Sequence, residues 1–302
     1  MKLKNQETIG ELFVFGEATI YSLFPIVVSY TTKLMPPILF AALGTLAAVV
    51  PLLLWAIFSK KLKELRNKKA LKYILGVTLF IVIIPSILIF MGSSKSTGIN
   101  TGMLLQSEIP FTFIICALFF NEKITTKKII GLITAILGTI LIVYNGKPEI
   151  NTWELLIIAA TFFYPFGNIF AKKALKEVST ITILLARFTI GGSVLLAISL
   201  LFENYSQSLS SYAINFYPYI LLSGIFIYCI SKILLYEALK KMEISKVILL
   251  STSSYPAISL LFAFLFLHEI PTIYQWSGFF VILIGILLMT VRKKSTEVSP
   301  QV

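Results

Sequence analysis

Long apolar runs alternate along the chain with short polar breaks, and the runs have the length of membrane crossings. A helix spanning the roughly 30 Å hydrocarbon core of a bilayer takes about 20 mostly apolar residues, and irregular backbone is not tolerated in lipid. Ten runs qualify, near residues 11–31, 36–58, 72–91, 99–120, 128–145, 153–171, 180–202, 217–239, 245–267 and 273–291. The pattern predicts an all-α membrane protein with ten transmembrane helices. The first run follows Lys2 and Lys4 as a signal peptide would, but it carries Glu17 and Pro25 without a small-residue cleavage site, so it reads as the first membrane helix.

Composition agrees with the pattern. Of 302 residues, 57% are apolar and only 13% charged, about half the charge of an ordinary soluble domain. The net charge of +12 would suit nucleic acid, but the 26 Lys and Arg residues sit in short loops and form no separate basic domain. Their distribution instead sets the threading. With the amino terminus inside, 21 of the 26 lie in inner segments and three (Lys33, Lys95, Lys147) in outer loops, while Arg187 and Lys232 fall within helices. The positive-inside rule then predicts an inner-membrane protein with both termini cytoplasmic. Cys116 and Cys229 lie in apolar runs and read as small hydrophobes.

The chain also repeats. A shift of 143 residues lays Glu11, Tyr21, Lys33 and Ile38 on Glu154, Tyr164, Lys176 and Ile181. Nearer the end of each half, Pro110, Glu122, Gly131 and Gly138 correspond to Pro256, Glu269, Gly278 and Gly285, with nine residues from Glu to the first Gly in both copies. The halves are 1–147 and 148–302, each with an odd number of helices, so the second enters the membrane from the opposite face. Inverted repeats of this kind place a central site that rocking exposes to each side in turn. An apolar fourth helix with a Pro and a Glu at its end, followed by a glycine-spaced fifth helix, resembles the EamA-type repeat of the drug/metabolite transporter superfamily. The resemblance runs from about residue 10 to 292 and implies a ten-helix permease. It also implies Arg early in the second helix of each half; Arg187 matches, whereas Gly44 stands at the first-half equivalent.

Charges inside the bilayer cost about 2.5–3.5 kcal/mol each on insertion scales, so each needs a partner, a wet cavity or a function. Four fall there: Glu17, Glu108, Arg187 and Lys232. Glu108 or Glu17 can take up a proton, and Lys232 or Arg187 can meet a substrate carboxylate; a mixed-sign cavity suits a zwitterion. They can equally pair with one another as structural glue. Tyr228 and Tyr236 flank Lys232 at four residues on either side, on one helical face. Tyr164 and Asn168 surround Pro165, and Tyr21 is the repeat equivalent of Tyr164; these are cavity candidates too. Glu122 and Glu269 are expected to accept bonds from exposed helix amides. Gly131 and Gly278 are expected in helix-packing faces.

No GxxxxGKS or GxxxxGKT loop is present and no inner segment is long enough for a nucleotide-binding domain, which argues against direct ATP coupling. One His, no Asp and isolated Cys argue against an enzyme, and no cofactor or metal is implied. The expectation is a secondary transporter, an exporter of a small metabolite, amino acid or drug working by alternating access; a non-transporting scaffold or receptor is the alternative. Its expected partners are the lipid bilayer, a small-molecule substrate and, optionally, a second copy in a homodimer, with no nucleic acid.

Overall fold

The computed structural model describes residues 2–120, 125–146, 151–242 and 244–290; Glu122 lies outside them. Among the described residues the chain is helical, with no strand. Seven helical rods are long and apolar enough to cross a bilayer: α1 (Thr8–Thr31), α2 (Pro37–Phe58), α3 (Lys68–Ser93), α5 (Thr126–Tyr144), α6 (Thr152–Ala174), α7 (Thr180–Phe202) and α8 (Leu209–Lys241). The other three expected runs are helical as well. The first, α4, covers 98–120 with a 3-10 turn at Leu105–Ser107, and the others are α9 (Ile244–Leu267) and α10 (Ile273–Thr290).

Local chemistry sets the helix starts. Asn67 accepts from the amides of Lys69 and Ala70, Thr97 from Asn100, Asn151 from Trp153, and Ser208 from Ser211, each satisfying donors that a helix leaves open at its first turn. The Ser208 cap starts α8 at Leu209, eight residues before the expected 217, because the polar stretch ahead of the apolar run continues the same helix. At the other end of α5, Asn145 (φ +43°) and Gly146 (φ +72°) close the helix in the left-handed region.

Large apolar side chains cover the outside. Phe58, Leu201, Ile270 and Ile273 are more than 70% exposed, and the α5 face bearing Ile133, Leu137 and Ile140 is open too. Surface of this kind belongs in lipid, and the chain is an integral membrane protein. Helices α5 and α10 pack on each other through glycines. A Cβ on Gly138 would lie 2.7 Å from the carbonyl oxygen of Gly278, and one on Gly285 2.6 Å from that of Gly131. Neither helix contributes to the central cavity described below.

Three carboxylates tie distant helix ends together. Glu203, just past α7, accepts from the amides of Ile38 and Leu39 at the start of α2, both at 2.8 Å. Glu64, in the loop after α2, accepts from the Ser179 amide (2.7 Å) and the Thr182 hydroxyl (2.8 Å) at the start of α7. Helices α2 and α7 are therefore antiparallel neighbours, each capped by a residue following the other. Glu269 accepts from Gly98 (3.0 Å) and Ile99 (2.8 Å). The amides it meets belong to α4 and not to the helix that follows it.

Burial would raise the pKa of the Glu64 carboxyl, but hydrogen bonds from Lys61, Ser179 and Thr182 outweigh it and lower the value from 4.5 to about 2. Its contribution to stability is thus complete above pH 4.5 and is lost as pH falls toward 2. Glu64→Gln is expected to destabilise the purified protein by about 1.5–3 kcal/mol near neutral pH and to flatten its loss of stability between pH 4.5 and 2. Unfolding midpoints measured across that range check this; an acid profile unchanged from wild type would show that the cap contributes nothing.

Candidate functional site

The intramembrane charges meet in one place. Glu17 and Tyr21 of α1, Glu108 of α4, Tyr164 and Asn168 of α6, Arg187 of α7, and Tyr228, Lys232 and Tyr236 of α8 all line a single cavity of about 120 Å³. Helix α3 supplies part of its apolar wall through Ile81, Val82 and Ile89.

Departures from regular helix shape this cavity. Helix α1 turns at Ser22 and Leu23 before restarting with Pro25 in its first turn, and Tyr21 sits at that break with its ring stacked on Phe24 at 5.1 Å. In α4, Pro110 has no N–H for the Gln106 carbonyl, and the chain tightens into the 3-10 turn just ahead of Glu108. Helices α3 and α8 each contain a π-helical stretch, Thr78–Ile83 and Leu222–Ile230. Such widened turns change the direction of the side chains that follow, and Tyr228, Lys232 and Tyr236 reach the cavity from or just after one of them. Pro110 and Pro256 are both buried inside their helices, as are Gly131 and Gly278 in theirs.

Glu17 is 1% exposed and pairs with Lys232 at 2.9 Å. Its second carboxylate oxygen accepts from the Ser251 hydroxyl at 2.7 Å, and the Lys232 ammonium lies 3.3 Å from the centre of the Tyr21 ring. This pair joins α1 to α8, and Ser251 adds α9. Glu108 accepts from the Asn168 side-chain amide at 3.1 Å. Arg187, 2% exposed, donates to the Tyr236 hydroxyl at 2.8 Å, with its guanidinium 4.5 Å from the centre of the Phe188 ring. The four charges thus form one ion pair plus one acid and one base that share no salt bridge.

Residues beyond the expected set also line the cavity. Ser251 and Tyr255 come from α9, and Gln106 from α4. The Tyr255 hydroxyl and the Gln106 amide oxygen are buried without a hydrogen-bond partner. The run Ser251 to Pro256, four small hydroxyl residues followed by Tyr and Pro within an apolar helix, is the signal that marks them. For Gln106 the signal is the one that singles out Asn168, an amide in a membrane helix. Among the described residues no group of three His, Cys, Asp or Glu could hold a metal. Cys229 is buried and free, and His268 is exposed at the surface.

The model of the EamA-like transporter family matches residues 8–144 and, a second time, residues 151–291. The chain belongs to the EamA-like transporter family. Among similar proteins, an uncharacterized transporter of Methanothermobacter thermautotrophicus is 28% identical over 244 residues, covering 78% of this chain and 69% of that one. The uncharacterized transporter YoaV of Bacillus subtilis is 25% identical, over 85% of this chain and 88% of its own. A Salmonella typhimurium protein named "probable amino-acid metabolite efflux pump" is 30% identical over 149 residues, 47% of this chain and 46% of that one. A solved crystal structure shares the fold with a TM-score of 0.67 at 16% identity, covering 93% of this chain and 96% of the other.

In this EamA-like protein the Glu17–Lys232 pair is buried deeply enough that removing one partner strands the other. Glu17→Gln is expected to destabilise the fold by about 3–5 kcal/mol, and the double variant Glu17→Gln/Lys232→Met to recover most of that loss. Thermal unfolding in detergent measures both. A single variant as stable as wild type would show that Lys232 finds another partner or keeps its water.

Proposed function

We propose that this protein is a secondary transporter that exports a small metabolite or amino acid across the inner membrane by alternating access, with the central cavity as its solute site. The observation that carries the reading is the convergence of nine polar and aromatic candidates, drawn from α1, α4, α6, α7 and α8, on one cavity within an otherwise apolar bundle. Buried polar groups in lipid are costly, and a cavity that gathers them from both halves of the chain is where a polar solute can leave water with least loss.

The threading in this proposal is ten crossings in two inverted five-helix repeats, 1–147 and 148–302, with both termini in the cytoplasm. Support comes from the double match to the family model and from the antiparallel, mutually capped α2 and α7. Two further features point the same way. The repeat-equivalent Tyr21 and Tyr164 line the same cavity, and the third helix of each half contains a π-helical stretch. Export is favoured by the relatives from Salmonella typhimurium and Escherichia coli that are named amino-acid metabolite efflux pumps.

Within this reading Glu108 is the coupling group. It is the cavity acid outside the Glu17–Lys232 pair, and its hydrogen-bond partner is the neutral amide of Asn168, so it can gain or lose a proton without breaking a salt bridge. Glu108→Gln is expected to leave the protein folded and membrane-inserted while abolishing the pH dependence of solute flux or the flux itself. Flux of labelled solutes into proteoliposomes, with and without a pH gradient, tests this. Normal flux with a normal pH profile in the variant would remove Glu108 from the mechanism, and solute binding without flux in the wild type would point to a receptor.

A further inference from the structure

The cavity holds two cations, and only one of them is neutralised. Lys232 has Glu17 at 2.9 Å and a tyrosine ring beneath it. Arg187 has no carboxylate within salt-bridge distance among the described residues, and its one hydrogen bond goes from Nη1 to the neutral Tyr236 hydroxyl. Its Nε is buried without a partner, and no described group accepts from Nη2. The two rings of Phe188 and Tyr236, 4.5 and 5.2 Å from the guanidinium carbon, hold the group in place. A guanidinium carries five N–H donors and no acceptor, so this one is fixed in a cavity wall with the donors of its Nε–Nη2 edge unused, Nε being closed to solvent.

That edge is the pair of parallel donors that matches the two oxygens of a carboxylate. A phosphate dianion would call for a second free cation, and Lys232 is already taken. Size narrows the class further. Apolar protein cavities of about 150 Å³ take a benzene-sized guest, and this one measures about 120 Å³. Resting on the reading of the cavity as the transport site, we infer that the solute is a small monocarboxylate, of the size of alanine or lactate, bound through its carboxylate to the guanidinium of Arg187. Lys232, already paired with Glu17, is not its receptor.

The test uses the purified full-length chain with L-alanine, L-lactate, L-alaninamide and inorganic phosphate as probes. Thermal unfolding reads binding, because a ligand of the native state raises the midpoint, and counterflow in proteoliposomes reads transport. Alanine or lactate is expected to raise the midpoint by a few degrees, with alaninamide and phosphate without effect. Arg187→Gln should weaken that response at least about tenfold, and Arg187→Lys, which keeps the charge but loses the fork, should fall between. Because Arg187 has no acidic partner among the described residues, the ligand-free stability of Arg187→Gln should match or exceed that of wild type. Equal responses to alanine and alaninamide, a response to phosphate alone, or no response to any probe would overturn the inference in the wild-type protein, whatever the variants do. Counterflow of alaninamide at the rate of alanine would overturn it while leaving transport standing. Binding of carboxylates without counterflow would leave the Arg187 site standing and remove transport.

Discussion

A polar group taken into lipid finds no water there, so the protein itself must supply its partner. This constraint organises the whole molecule. Each carboxylate described above that lies in or near the helical bundle is used to hold parts of the chain that are far apart in sequence. Glu17 reaches 215 residues to Lys232, Glu203 reaches back to the first turn of α2, Glu64 forward to that of α7, and Glu269 back to that of α4. Contacts between apolar side chains cannot specify such pairings, because lipid tails satisfy a leucine as well as another leucine does. Charge-assisted hydrogen bonds to helix ends can, and close approach at Gly138, Gly278 and Gly285 adds shape to the remaining interface.

Much of this was legible in the sequence for the same reason. A charged or amide side chain in an apolar run is conspicuous, and Glu17, Glu108, Asn168, Arg187 and Lys232 stand out on that ground alone; all five line the cavity. The apolar runs likewise marked the helices, seven of which are long and apolar enough to cross a bilayer among the described residues. Hydroxyl residues are less conspicuous, since Ser and Thr can satisfy themselves on the carbonyl one turn back, as Thr45 and Thr78 do. Ser251, whose hydroxyl reaches Glu17 across helices, gives no such local sign, and Tyr255 reads in sequence like any core aromatic. The partners of Glu64, Glu203 and Glu269 were invisible locally. A cap read from sequence is sought beside its own helix, and these three close helices more than 100 residues away.

The family model matches the chain twice, yet the two matched stretches differ in chemistry. At the first-half equivalent of Arg187 stands Gly44, and a Cβ there would already lie 3.2 Å from Ser223 and 3.4 Å from the ring of Tyr228. Helix α8 occupies the space that a long side chain would need. Tyr228 fills that space instead, and its ring lies 5.8 Å from that of Phe188, itself 4.5 Å from the Arg187 guanidinium carbon.

The mutual capping of α2 and α7 has a mechanical meaning. Each helix is fastened at its amino end to a residue that follows the carboxyl end of the other, so the two cannot slide or splay without breaking charge-assisted bonds at both ends of the pair. Any large rearrangement of this fold either keeps them together as a shared axle, with the surrounding helices swinging about it, or begins by unfastening Glu64 and Glu203.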